Sequence, residues 1–131
     1  GREALAATRR EIAHVAGEAM AMAVAVDVAD AAAVEALADA VVARWGRIDA
    51  WVNAAAVSVY GEFAEIPAAD FERVIAVDVG GVANGCRAAI HRMRDQDGGG
   101  AIVNVSSGLG DRAVPLQSAY CASKFAVNGL S

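Results

Sequence analysis

Apolar residues along this chain fall into three continuous runs, separated by longer stretches in which apolar and polar positions follow a helical period. A continuous apolar run, unlike an alternating one, is typical of a strand in a parallel sheet that is covered on both faces. The pattern therefore predicts strands over Met20–Val28, Ile48–Ala56 and Ala101–Ser106.

Helical stretches precede, separate and follow these strands. They are predicted over Arg2–Ala16, Ala31–Trp45, Pro67 to about Arg94, and Ser118 to the end of the chain. Asp30 and Gly46 are suitable caps for the second helix, and proline is favoured at a helix start. Strands separated by helices of this length require crossover connections, so the predicted fold class is α/β, a doubly wound parallel sheet of the Rossmann type.

In such a sheet, ligands bind beyond the carboxyl ends of the strands. Three segments of this sequence lie at predicted strand ends: Asp27-Val28, Asn53–Ala56 and Ser106–Gly110. We therefore expect one edge of the sheet to carry the functional residues.

Composition narrows the classes of protein that fit this pattern. The chain has 131 residues, 56% of them hydrophobic, which suits one domain with a buried core. A net charge of -5 argues against a nucleic-acid partner, and no apolar run approaches the roughly 20 residues of a membrane span. The two cysteines lack metal-ligand spacing, so we expect reduced thiols, no metal site and a cytoplasmic location.

Tyr120 and Lys124 are the first residues with a recognisable chemical use. Four positions apart on the last predicted helix, they lie on one face and can reach a common point. A lysine ammonium beside a phenol favours the phenolate, and such a tyrosine can exchange a proton with a substrate oxygen. The same spacing also occurs in ordinary surface pairs, and a YxxxK pattern alone does not distinguish the two.

Ser107 stands at the exit of the third predicted strand. Its hydroxyl could hydrogen-bond the substrate oxygen with which Tyr120 exchanges a proton. Serine beside glycine is also common as a turn or cap residue, and that alternative stays open here.

The segments NVSSGLG and SAYCASKFAVNGLS resemble the active-site region of the short-chain dehydrogenase/reductase family. That family has a serine thirteen residues before the tyrosine of a YxxxK motif, and Ser107, Tyr120 and Lys124 occupy the matching positions. The strand end VNAAA resembles the family's NNAG segment, and Asp27-Val28 matches its adenine-contacting Asp-Val pair. The similarity extends over all 131 residues.

The resemblance implies a nicotinamide cofactor, NAD or NADP, and a small alcohol or ketone substrate. It makes Tyr120 the acid/base, Ser107 the group that orients the substrate oxygen, and Lys124 the residue that tunes the tyrosine and holds the nicotinamide ribose. The implied cofactor-binding residues are Asp27, Val28, Asn53, Ala54, Ala55, Tyr120 and Lys124. Since family members usually pair subunits through the long helix and the tyrosine-bearing helix, we expect a homodimer or homotetramer.

Asp78 departs from the family pattern, because the sequence reads VDVGG where VNxxG is usual. It falls on the apolar face of the long predicted helix, and a buried carboxylate is costly unless it is paired or hydrogen-bonded. We expect Asp78 to be a fourth member of the catalytic site, near Lys124 directly or through water, where it tempers the effect of the lysine on Tyr120. A structural hydrogen bond within the helix is the alternative.

The family's TGxxxGxG turn, which receives the pyrophosphate, does not occur in the sequence. We therefore expect residues 1–131 to be a single partial Rossmann-like domain from the middle of a longer chain, without the family's C-terminal substrate-closing segment. Arg2 hints at a 2′-phosphate partner, but NAD and NADP both stay open.

The leading hypothesis is an NAD(P)-dependent oxidoreductase that interconverts an alcohol and a ketone. One alternative is a catalytically impaired domain of the same fold that binds a nucleotide or a partner. Another, which fits less well, is a sugar-nucleotide epimerase or dehydratase.

Overall fold

A computed structural model describes residues 2–131, except for the side chain of Arg2. Gly1 and the suggested 2′-phosphate contact of Arg2 therefore lie outside the described residues. The elements are α1 (Arg2–Ala16), α2 (Ala31–Trp45), β1 (Ala50–Asn53), α3 (Ala68–Ile75), α4 (Gly81–Met93), β2 (Ala101–Asn104) and α5 (Ser118–Leu130).

Strands β1 and β2 form a parallel pair, in register from Ala50 opposite Ala101 to Asn53 opposite Asn104. A further hydrogen bond, from Val105 N to Asn53 O at 2.9 Å, continues the pairing beyond the carboxyl end. The predicted parallel arrangement is thus confirmed. Both strands are shorter than predicted, since regular pairing lasts only while both partners run side by side.

The strand predicted over Met20–Val28 is wrong. Residues Glu18–Met20 form a 3₁₀ turn, and the segment that follows has no strand partner among the residues described. Its apolar character has another cause, because Val26 and Val28 pack against the hydrophobic core. An apolar run predicts burial, but a strand also needs a neighbour to complete its backbone hydrogen bonds.

The core lies between one face of the sheet and helices α2 and α4. Its buried residues are Val34, Ala38, Ile48, Ala88, Ala89 and Met93. The opposite face of the strands is open within residues 2–131, where Val52 is 59% and Val103 51% exposed. We expected helices to cover both faces of the sheet, but within the described residues only one face is covered, because α2 and α4 both pack on that face.

The capping residues predicted for α2 are confirmed. The Asp30 carboxylate accepts hydrogen bonds from the backbone N–H groups of Ala32 and Ala33, at 2.9 and 3.1 Å. Gly46 ends the helix in the left-handed region, with φ 84°, and its N–H donates to Val42 O. These contacts complete backbone groups that a helix end leaves unpaired.

The long helix predicted from Pro67 to about Arg94 is divided by a π-helical turn, Ala76–Gly80, between α3 and α4. Pro67 caps α3 and Ala68 is its first residue. A π turn admits an extra residue and re-aims the side chains around it, and such turns are frequent at functional sites. Asp78 lies in the middle of this one.

Candidate active site

The carboxyl ends of β1 and β2 meet at one edge of the sheet, as expected of parallel strands. Beyond β2 the chain forms a 3₁₀ turn, Gly108–Gly110, and Ser107 is its N-cap. The Ser107 Oγ accepts a hydrogen bond from Leu109 N at 3.2 Å. The turn-capping alternative for Ser107 is therefore observed. In this contact the Ser107 oxygen is the acceptor. The hydroxyl hydrogen of this half-buried side chain has no acceptor among the residues described.

Gly110 lets this turn lie directly against α5. A Cβ atom at Gly110 would stand 2.9 Å from Lys124 O and 2.8 Å from Asn128 Nδ2, too close for any other residue without a shift. Asn128 Nδ2 also donates to Gly110 O at 3.2 Å. The segment that carries Ser107 is thus packed and hydrogen-bonded to the helix that carries the other candidates.

Tyr120 and Lys124 lie on one face of α5, as their spacing predicts. The Lys124 Nζ stands 5.4 Å from the centroid of the Tyr120 ring, and the lysine is only 3% exposed. Its ammonium donates a hydrogen bond to Val105 O at 3.1 Å. Lys124 is the single lysine in the sequence, since the other ten basic residues are arginines. A buried cation is costly unless it is hydrogen-bonded, so the burial of Lys124 beside a phenol makes this pair the candidate for a functional site.

Asp78 is completely buried. Its Oδ1 accepts from Val57 N and its Oδ2 from Ser123 Oγ, both at 2.8 Å. Ser123 immediately precedes Lys124, so the expected approach to the lysine is indirect. No ion pair joins Asp78 to Lys124 in the part of the chain that the structure describes.

This network links three elements around the site. The Ser123 Oγ also lies 2.8 Å from Tyr120 O, one turn earlier on α5. Asp78 therefore connects the segment that follows β1, through Val57, to the turn of α5 between Tyr120 and Lys124. Both carboxylate oxygens have a hydrogen-bond donor, as a buried carboxylate requires. Sequence reasoning missed Ser123, although its place in YxxxK and its small polar side chain were the available signals.

Asp27 and Val28 lie on the lining of a cleft of about 490 Å³, together with Ala55, Ala56 and Arg73. The pKa of Asp27 is lowered, chiefly by the hydrogen bond from Arg73 and then by the bond from Ala29 N. The backbone of Val28 is attached to α4 through Asn84 Nδ2, which donates to Val28 O at 3.0 Å. Two of the predicted cofactor contacts therefore meet a third, Ala55, at one cleft.

Asn53 does not line this cleft, because its side chain lies between the sheet and α4, hydrogen-bonded to other polar side chains there. Its Oδ1 accepts from Trp51 Nε1 and its Nδ2 donates to Asn104 Oδ1, each at 2.8 Å. Its backbone carbonyl is engaged by Val105 N. Of the predicted Asn53, Ala54 and Ala55 contacts, Ala54 and Ala55 are the exposed residues left to face a ligand.

The described residues contain neither a membrane-spanning helix nor a metal-binding cluster. None of the helices there is both long and apolar enough to cross a bilayer. Within residues 2–131, no group of three or more histidine, cysteine or acidic side chains is arranged to hold a metal ion.

The structure is that of an α/β protein in which Ser107 follows β2 and Tyr120 and Lys124 lie together on α5, against which the turn after Ser107 packs. The model of the short chain dehydrogenase family matches residues 1–131. The chain belongs to the short-chain dehydrogenase family, as its motifs predict.

Individual relatives agree with this assignment. The chain is 49% identical over 100 residues to the probable oxidoreductase EphD of Mycobacterium tuberculosis, covering 76% of this chain and 17% of that protein. It is 46% identical over 107 residues to D-threitol dehydrogenase of Mycolicibacterium smegmatis, covering 82% and 41%. The crystal structure of an NAD⁺-bound xylitol dehydrogenase superposes with a TM-score of 0.92 at 31% identity, covering 99% and 49%. The chain spans less than half the length of each of these proteins.

Proposed function

We propose that this chain carries the proton-transfer site of a nicotinamide-dependent oxidoreductase that interconverts an alcohol and a ketone. The observation that carries the proposal is the buried Lys124 ammonium beside the Tyr120 ring, next to the strand exit that leads to Ser107. Oxidoreductase relatives, including one named for D-threitol and one crystallised with NAD⁺, support the reaction class.

Tyr120 is the acid/base of the proposed reaction. Its hydroxyl gives a proton to the oxygen of a carbonyl substrate, or takes one from an alcohol. The Lys124 ammonium, fixed by its bond to Val105 O, stabilises the negative charge that develops on the phenol oxygen during this transfer. Because that cation is already desolvated and held in place, little reorganisation is needed when the charge develops.

Ser107 orients the substrate oxygen. Its Oγ accepts from Leu109 N, so its own O–H hydrogen is available to donate. That donor polarises a carbonyl oxygen or holds an alcohol in position for Tyr120. Asp78 acts at one remove, as a positioning residue that fixes the turn of α5 between Tyr120 and Lys124 through Ser123.

A nicotinamide cofactor, NAD or NADP, fits the cleft beside this site. When bound, it supplies or accepts the hydride. The cleft of about 490 Å³ has the volume of a small-ligand site, and a carboxylate, apolar side chains and two exposed alanines line or adjoin it. Asp27, Val28, Ala54 and Ala55 would hold the cofactor, with Tyr120 and Lys124 beside its nicotinamide ribose. Asn53 would not contact the cofactor; its side-chain hydrogen bonds to Trp51 and Asn104 instead hold the two strands together.

Turnover assays on the full-length protein test this function. NAD and NADP are each supplied with a panel of polyols and secondary alcohols, and the reduced cofactors with the matching ketones, while nicotinamide absorbance is followed. We expect turnover of at least one alcohol/ketone pair. Cofactor binding without turnover of any substrate would instead favour a binding domain, and turnover confined to sugar nucleotides would favour an epimerase or dehydratase.

We also propose that the protein forms a homodimer or homotetramer in the cytoplasm and acts on a small-molecule substrate. Light scattering on the full-length protein tests the assembly, and fractionation of the cells that make it tests the location. A monomer, or recovery in the membrane fraction, would contradict these two proposals.

A further inference from the structure

Leu116 is the one residue other than glycine that has a positive φ among the described residues, at 65°. A side chain with a Cβ rarely adopts this left-handed region, and leucine has no polar group to offset the cost. Pro115 and Leu116 lie together in a turn. Proline at the first central position and a positive φ at the second are marks of a type II turn, where glycine or asparagine normally follows the proline. A strained conformation of this kind persists only where its surroundings impose it.

A backbone hydrogen bond holds Leu116 in place. Its carbonyl oxygen accepts from Gly61 N at 3.1 Å. Gly61 belongs to the segment that follows β1, and in the same segment Val57 N donates to the buried carboxylate of Asp78 at 2.8 Å. The strained residue therefore joins the loop before α5 to a segment that is itself attached to the π turn.

The start of α5 lacks the usual contacts that fix a helix end. Gln117 is the N-cap residue, and its side chain makes no capping hydrogen bond. The Oγ of Ser118, the first helical residue, is buried without a hydrogen-bond partner in the described part of the chain. Ala119 is fully buried, so packing restrains the sideways position of this turn. The position at which the helix begins is left to the residue that precedes the cap, Leu116.

We propose that Leu116 is a positioning residue for Tyr120, which lies on the first turn of α5. The left-handed region open to a residue with a Cβ is small, so both backbone dihedrals are confined, whereas glycine has a much wider range. The confined turn holds the Tyr120 hydroxyl at a constant place relative to Ser107. The inference rests on the proposed function, because it takes Tyr120 as the acid/base.

Three substitutions at Leu116 separate the backbone from the side chain. Leu116→Ala removes most of the side chain and keeps the confined backbone. Leu116→Asn installs a residue that tolerates the left-handed region, and Leu116→Gly widens the range of both dihedrals. Ala113→Gly is the matched control, because Ala113 is exposed in the same loop and has no positive φ.

The test uses the full-length protein and four readouts. They are kcat and KM for the best alcohol/ketone pair, the dissociation constant for NAD, the melting temperature, and the carbon-13 NMR signal of the Tyr120 ring. The Tyr120 signal is assigned by its loss in Tyr120→Phe.

We expect Leu116→Gly to lower kcat about tenfold, with KM and NAD affinity within about twofold, because a small displacement of a reacting group slows the reaction without weakening binding. In Leu116→Ala and Leu116→Asn, kcat should stay within about threefold of the wild-type value. The Tyr120 signal should be broadened or doubled in Leu116→Gly alone.

Stability should change in the opposite direction from activity. Because glycine relieves the strain, Leu116→Gly should melt about 2 to 4 °C above Leu116→Ala. Ala113→Gly should melt at or slightly below the wild-type temperature and keep its kcat. A loosened fold would instead lower activity and melting temperature together.

A kcat of Leu116→Gly within twofold of wild type, or an equal loss in Leu116→Ala, would overturn the inference and leave the proposed function intact. Melting of Leu116→Gly below Leu116→Ala would overturn it too, since no strain would then be present. If the wild-type protein turns over no alcohol or ketone, the proposed function fails and the Tyr120 signal decides the inference. Broadening confined to Leu116→Gly would support the inference, and the same signal in all variants would overturn it.

Discussion

The turn after β2 and the extended segment 21–28 reach the same edge of the sheet, but they are held there differently. The turn is attached to α5 by the close approach at Gly110, by the bond from Asn128 and by the Lys124 ammonium on Val105 O. The extended segment has no strand partner in the described chain and ends in the half-exposed pair of Asp27 and Arg73. Residues proposed for proton transfer thus occupy the region held by packing and buried hydrogen bonds, and residues proposed to hold the cofactor occupy the more accessible one.

The difference follows from the chemistry that each region has to perform. Proton transfer requires groups held within a few tenths of an ångström, which packing and buried hydrogen bonds provide. Binding of a cofactor needs an open cleft lined by apolar groups and a few well-placed polar groups. Substitutions in the first region should therefore act mainly on kcat, and those in the second mainly on cofactor affinity.

The largest expected effect is at Lys124. Lys124→Met removes the buried cation at similar side-chain length, so the charge that develops on Tyr120 loses its stabilisation. We expect kcat to fall by about three orders of magnitude, with a smaller loss of cofactor affinity because Lys124 is also proposed to lie beside the nicotinamide ribose. Steady-state kinetics measure this, with Arg87→Met, an exposed cation on α4, as the control. A decrease in kcat of less than tenfold would show that a group other than Lys124 stabilises the charge on Tyr120.

Asp78 tests whether the proton-transfer region depends on its buried hydrogen bonds. Asp78→Leu leaves the Val57 N–H without a partner and deprives Ser123 of one, which should lower the free energy of unfolding by about 3 kcal/mol. Asp78→Asn can still accept from Val57 and donate to Ser123 Oγ, so its loss should stay within about 1 kcal/mol. Urea titration of the full-length variants compares the two, and equal losses would contradict the network.

Gly110 tests the close packing between the turn and α5. In Gly110→Ala the new Cβ would meet Lys124 O, Asn128 Nδ2 and Ser106 Oγ at 2.8 to 2.9 Å, so the turn must move. We expect a loss of about 1 to 2 kcal/mol in stability, and a fall in kcat larger than any rise in KM. Gly108→Ala is the matched control, since nothing lies within 4 Å of its Cβ position. Similar behaviour of the two variants would refute a packing role.

The smallest effect is expected at Asp27 and concerns its titration. Arg73 and Ala29 N hold its pKa below the ordinary value, so its contribution to stability is complete above about pH 3.9 and is lost as the pH falls through the lowered pKa. The contribution of this pair to stability should therefore be constant between about pH 6 and 8. NMR titration of the Asp27 carboxyl should show its pKa rising toward the ordinary value in Arg73→Met. An unchanged pKa would mean that the pair does not persist in solution.

Much of this arrangement could be predicted from the sequence, because the patterns involved are local. The caps of α2, the one-face placement of Tyr120 and Lys124, and the parallel pairing of β1 and β2 each follow from spacing and residue type. The burial of Asp78 follows from its place on an apolar helix face.

The remaining features depend on contacts between distant parts of the chain. Whether the apolar segment 20–28 becomes a strand depends on a neighbour, which no local pattern specifies. Arg73 reaches Asp27 across 46 positions, and the π turn at 76–80 re-aims the helix by an amount that helical periodicity cannot predict. The partners of Asp78, Val57 and Ser123, are hidden from sequence reasoning for the same reason.

The central claim is that Tyr120 exchanges the proton with the substrate, and the two tyrosines of the chain allow a direct test. Tyr120→Phe and Tyr60→Phe each remove one hydroxyl, but Tyr60 is 69% exposed. The measurement is kcat/KM of the full-length protein for its best alcohol/ketone pair. We predict that Tyr120→Phe lowers it by about 10² to 10⁴ with cofactor affinity retained, and that Tyr60→Phe stays within about twofold. Wild-type activity in Tyr120→Phe would contradict the account.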